Sequence, residues 1–294
     1  MERPDTNWKS DVKAGNVFEQ LVTRYVLDGC YNPILREKYP DKVIETESIH
    51  FSDDKMAQIH GKDIRWRVGD NVYYIDVKGQ GDMINRPTPT FILELAARPR
   101  PSASNGYRTD GRYYPGWFMD KSKLTDYYCF VWPHVCADKP AAALTDDDIY
   151  LIDCMLVPKK NLQTYLAENY GLTYDVLAAK ANEYVIRARN HKERLEEEIV
   201  NNKLTGDHLK YVKTSGVYHG FGVSKQEEPI NLVVWKSVYA KVPGTKYFIL
   251  SRENDISGDI ICEMCEFDPQ VIMSKKRHIE AKRDFACLLK AKAV

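Results

Sequence analysis

Residues 61–79 (GKDIRWRVGDNVYYIDVKG) restrict the fold of this chain more than any other stretch. Two runs rich in β-branched and aromatic residues, Ile64–Val68 and Val72–Val77, flank Gly69, Asp70 and Asn71, which predicts a tight β-hairpin. Side chains alternate along a strand, so Asp76 and Lys78 share a face. A Gly69-Asp70 loop sets Asp63 opposite Asp76, whereas an Asp70-Asn71 loop sets it opposite Lys78. Either register gathers Asp63, Asp76 and Lys78 on one face.

Two neighbouring carboxylates repel, and burying them is unfavourable unless a positive charge sits between them. A divalent cation is the usual answer, and an oxygen-only pair without histidine suits Mg²⁺ or Mn²⁺ rather than Zn²⁺. The lysine cannot ligate such a cation. It can orient water or offset charge developing on a phosphate that the metal polarises. The same three residues also fit a surface hairpin with an Asp–Lys ion pair, worth about 0–1 kcal/mol.

An Asp at the start of one strand, followed by Asp76-Val77-Lys78 at the end of the next, resembles the PD-(D/E)XK nuclease superfamily of restriction endonucleases and Holliday-junction resolvases. The second half of that motif is matched literally; the first half lacks the proline before Asp63. The resemblance implies Asp63 and Asp76 as metal ligands, the Val77 carbonyl as a further ligand, and Lys78 as the catalytic lysine. It covers about residues 13–135 and implies a mixed central sheet flanked by helices.

Val17, Phe18, Leu21, Val22, Tyr25 and Val26 recur at helical spacing, which predicts a helix over 16–28 capped by Gly29. Glu19 borders that stripe. The superfamily often sets an acid on its first helix, which makes Glu19 a further catalytic candidate; Asn16 and Glu19 equally form a capping box. A first strand is expected over 43–51, so that helix, strand and hairpin follow in the superfamily's order. Glu94 lies within the apolar run Thr90–Leu95 and is either a further metal ligand or a strand-edge acid. Residues 98–115 form a long irregular stretch in which Arg98, Arg100, Arg108 and Arg112 alternate with Tyr, Pro and Gly. Guanidinium groups and rings together suit phosphate contact and base stacking, and a solvated loop is the plainer reading.

Further strands are expected over 124–132 and 148–157, then helices over 161–169 and 173–203. Short β-rich runs follow at 211–223, 230–242, 247–250 and 259–267. This divides the chain into an α/β nuclease core over 1–157, a helical segment over 158–204 and a β-rich α+β C-terminal extension over 205–294. Lys and Arg equal Asp and Glu at 42 each, so net charge does not announce a nucleic-acid partner. From Lys275 onward, including Lys276 and Arg277, seven basic residues face two acids, a local charge of +5.

Seven irregularly spaced cysteines and a polar N-terminus point to the cytoplasm, and Cys262 and Cys265 read as strand cysteines rather than zinc ligands. No apolar run approaches the roughly 20 residues of a membrane span. The expected activity is Mg²⁺- or Mn²⁺-dependent hydrolysis of phosphodiesters, DNA before RNA. A binding protein that keeps the site without cutting is the rival, and homodimerisation is left open.

Overall fold

The computed structural model describes residues 8–49, 60–79, 88–98, 113–135, 145, 148–190, 216–221, 229–252 and 260–278. The N-terminal helix is longer than its apolar stripe predicts. It runs without a break through α1 (Trp8–Leu21), a π-helical stretch (Val22–Tyr31) and α2 (Asn32–Lys38). Gly29 therefore does not end it, and Asn16, inside α1, caps nothing.

The apolar stripe explains the continuity. Phe18, Leu21, Val22, Val26 and Leu27 are all buried, each worth about 1.5–3 kcal/mol over its exposed state. The wider π-helical turn brings Asn32 to full burial, where its side-chain oxygen accepts the Trp66 indole N–H at 2.9 Å. Its amide donates to Asp28 at 2.9 Å and to Thr46 at 3.4 Å. Replacing Asn32 by Leu would leave the Trp66 donor and Asp28 without that partner. A stability loss of about 1–3 kcal/mol in urea melts is expected.

The main sheet has seven strands in the order β1 (Ile44–Ser48), β2 (Ile64–Val68), β3 (Asn71–Gly79), β6 (Tyr127–Val135), β7 (Ile149–Pro158), β10 (Lys246–Arg252) and β11 (Ile260–Cys265). Neighbours are antiparallel except β3 and β6, which run parallel. Ile64, Trp66, Ile75, Val77, Cys129, Val131 and Cys154 pack with the helical arm in one core. A helix over 269–278 follows β11.

A second sheet of four antiparallel strands has the order β5 (Tyr114–Pro115), β4 (Thr90–Ala97), β9 (Ile230–Trp235) and β8 (Val217–Phe221). It belongs with α3 (Lys159–Tyr170), α4 (Tyr174–Asn190) and the single turn α5 (Lys236–Tyr239). Where the sequence suggested one strand over 230–242, β9 stops at Trp235. Lys236 then donates its N–H to Pro89, and the chain coils into α5, burying Val238 and Tyr239.

The protein is thus mixed α/β, with a mixed sheet flanked by helices, as expected. The boundaries at 157 and 204 are not those of the structure. Two compact units interleave: the seven-stranded one draws on Trp8–Thr88, Leu124–Lys159 and Gly244–Val294, the four-stranded one mainly on Pro89–Lys123 and Lys160–Pro243. Strand pairing at long sequence separation is the reason. β7 takes β10 as its antiparallel neighbour, which brings the C-terminal strands into the hairpin's own sheet.

Candidate active site

Val68 pairs with Asn71 and Ile64 with Ile75, so the hairpin loop is Gly69-Asp70, and Gly69 has the left-handed φ of 63° that such a turn requires. This is the first of the two registers, and it sets Asp63 opposite Asp76. The Asp63 N–H donates to the Ile75 carbonyl at 3.0 Å. Ile75 and Val77 enter the core beneath the helical arm, and alternation carries Asp76 and Lys78 to the other face.

Two carboxylates and one ammonium meet there, and the charge of Glu19 on α1 reaches Asp63. Asp76 is 1% exposed, Glu19 5% and Asp63 6%. The Lys78 ammonium lies 2.6 Å from Asp76 Oδ1, and its side chain keeps 25% of its surface. Val77 donates its backbone N–H to Asp63 Oδ2 at 2.7 Å. β2 begins only at Ile64, so the Asp63 carboxylate takes a strand donor that β2 no longer covers. Asp63 thus closes the end of the β2–β3 ladder as well as facing Asp76.

The electrostatics follow from this crowding. Burial holds the Asp63 carboxyl well above the ordinary carboxylate range; Asp76 and Glu19 push the same way, and Lys78 opposes them. The raised proton affinity of Asp63 is thus set first by burial and then by the acids around it. On β6, Tyr128 is buried beside Asp76 in the parallel register, and its phenol is raised first by burial and then by the Asp76 charge.

These residues fit a hard divalent cation. Apart from Lys78, neither buried oxygen of Asp76 has a donor among the described residues. Such acceptors are what a cation satisfies. No three His, Cys, Asp or Glu side chains among the described residues form a group that could hold a metal ion by themselves. A cation held by Asp63 and Asp76 would take its remaining ligands from oxygens other than these side chains, such as water, the usual habit of Mg²⁺.

The other predicted residues belong to further elements. Glu94 stands on β4 in the four-stranded unit, where Oε1 accepts the Trp117 N–H at 3.4 Å and its carbonyl accepts that of Phe118 at 3.1 Å. The Gly116-Trp117 turn thereby clasps Glu94. The Arg98 guanidinium lies over the Tyr113 ring at 5.0 Å; Arg100, Arg108 and Arg112 fall outside the described residues. Lys275 forms an ion pair with Glu263 of β11, and Lys276 and Arg277 follow it on the 269–278 helix. The rest of the basic tail, from 279, is also outside the described residues.

The sequence carried no signal for two further polar groups in the seven-stranded unit. Thr125, 5% exposed, donates its hydroxyl proton to the Gly61 carbonyl at 3.0 Å. Asp153 is fully buried with His134 Nε2 and the Tyr247 hydroxyl each at 3.4 Å. Both contacts join residues on different strands or turns, and neither has local spacing that marks it. Among the described residues no helix is long and apolar enough to cross a membrane. No family model, curated protein or solved structure matches the chain.

Proposed function

We propose that this protein is a Mg²⁺- or Mn²⁺-dependent nuclease of the PD-(D/E)XK kind that hydrolyses phosphodiester bonds, with DNA as its substrate. The observation that carries the reading is the buried Asp63–Asp76 pair with Lys78 at its edge. Isolated carboxylates so deeply buried are unfavourable, and a site that must hold a cation explains why the chain keeps them. Helix, strand and hairpin also follow one another in the order that family uses.

Asp63 and Asp76 would hold the cation, with the Val77 carbonyl as a further ligand. When bound, the cation polarises the phosphate and lowers the pKa of water. Lys78 can do its work from where it stands. Its partly exposed ammonium can leave Asp76 for a phosphate oxygen or water, offsetting charge that develops as the bond breaks. Glu19, buried on α1, adds negative charge that raises the proton affinity of Asp63 and would attract a cation as well.

The 2.6 Å Lys78–Asp76 contact also suits a second reading, a structural ion pair without catalysis. Lys78→Ala separates the two. A nuclease site should lose turnover by roughly 10²-fold or more, the scale of removing one electrostatic group, and should bind Mn²⁺ at least as tightly because the competing ammonium is gone. The metal-free protein should lose stability, since the acids are left uncompensated, and Mn²⁺ should restore it. Cleavage of plasmid DNA, Mn²⁺ titration and melting curves on both proteins decide it. Wild-type protein that binds no Mn²⁺ would sink the nuclease reading.

A further inference from the structure

The turn that precedes β2 shapes the space beside Asp76. Gly61 has φ of +70°, which turns the chain away from β3 just before Asp63. Its carbonyl accepts the Thr125 hydroxyl at 3.0 Å, and the neighbouring His60 carbonyl accepts the Leu124 N–H at 2.9 Å. Two bonds thus clamp the turn to the segment that leads into β6. A Cβ on Gly61 would lie 2.4 Å from Thr125 Oγ1 and 3.1 Å from Asp76 Oδ2. The Thr125 hydroxyl and the Asp76 carboxylate therefore pack directly against the Gly61 turn, too close to admit any side chain at residue 61.

Thr125 spends its one proton on the Gly61 carbonyl, and two residues on the chain delivers Asp63 to its place opposite Asp76. We propose that Thr125 is a positioning residue of the nuclease site. It fixes the Gly61 turn, and through it Asp63. Gly61 lets the turn approach Asp76 closely, since any side chain there would meet Thr125 Oγ1 and Asp76 Oδ2. This inference rests on the nuclease reading above.

The test compares Thr125→Val, which removes the hydroxyl at nearly constant volume, with Thr125→Ser, which keeps it. Mn²⁺ alone is the probe, titrated by calorimetry and by its EPR spectrum, beside melting curves and plasmid cleavage at saturating Mn²⁺. Thr125→Val should weaken Mn²⁺ binding about tenfold or more, the scale of losing a group that orients a metal ligand, while Thr125→Ser stays near wild type. Its kcat should fall more than its KM rises. If Thr125→Val fails to fold, Thr125→Ala removes the same hydroxyl without a methyl beside Asp76 and carries the test. Wild-type Mn²⁺ affinity in the Val or Ala variant, or equal loss in the Ser variant, overturns the role of Thr125 and leaves the nuclease reading standing. Absence of Mn²⁺ binding by the wild type overturns both.

Discussion

Asp76→Asn is expected to keep or raise the melting temperature of the metal-free protein while lowering Mn²⁺-dependent cleavage by roughly 10²-fold or more. The two effects part because function and stability make opposite demands on this carboxylate. In the folded chain Asp76 raises the proton affinity of Asp63, which is repulsion expressed as a titration. The amide removes that repulsion. Lys78 loses its partner, but its side chain is partly exposed and its ammonium can turn to water. Asp63, almost fully buried, has no such escape, and relief of its repulsion should win. An amide is also a poor ligand for a hard cation, so the chemistry suffers. Melting curves and cleavage assays on wild type and variant check both halves. A variant that cuts at the wild-type rate removes the hairpin from the mechanism.

Metal binding should be strongly pH-dependent, tightening as pH rises, because the cation must displace the proton that burial and neighbouring acids hold on Asp63. The same shift sets the sign for stability. The folded state binds this proton more tightly than the unfolded chain, whose carboxyl has its ordinary value near 3.8. The contribution of Asp63 to stability is thus fully present below that value and is lost as pH rises through the raised folded pKa. Metal-free protein should therefore become less stable with rising pH across that window, and Mn²⁺ should reverse the loss. At a free concentration of 100 times its Kd, the ion adds about 2.7 kcal/mol. Asp63→Asn should flatten the metal-free pH dependence. Urea melts across pH, with and without Mn²⁺, measure all three, and proton release on Mn²⁺ binding gives a calorimetric check. A pH-independent Mn²⁺ affinity would contradict a cation site built on Asp63.

Both expectations draw on a hairpin that could be read from residues alone. Alternation settles which side chains share a face, and the dense β-branched and aromatic runs mark both strands, so Asp76 and Lys78 share a face whatever the tertiary contacts. The register was open between two loops. The two differ by one residue in the turn, and Gly69 with positive φ resolves it.

The helical arm shows where local signals fail. Gly29 is a good stop in isolation, yet the buried stripe and the Asn32–Trp66 contact hold the chain helical past it. Packing with distant strands outweighed a local preference of about 1 kcal/mol. The apolar run around Glu94 forms a strand, as its residues suggest, but which sheet a strand joins is decided by long-range pairing, and β4 pairs with β5 and β9.

What the sequence alone determined is therefore local: the hairpin, its two acids and lysine on one face, and the strands and helices whose apolar periodicity repeats within a few residues. Tertiary structure decided the rest. It joined β10 and β11 to the hairpin's sheet, brought Glu19 to the carboxylate pair from α1, and set Thr125 against Gly61 across 64 residues of chain. Periodicity reports which side of an element is buried. It carries no information about the partner that buries it, and every one of these contacts is a choice of partner.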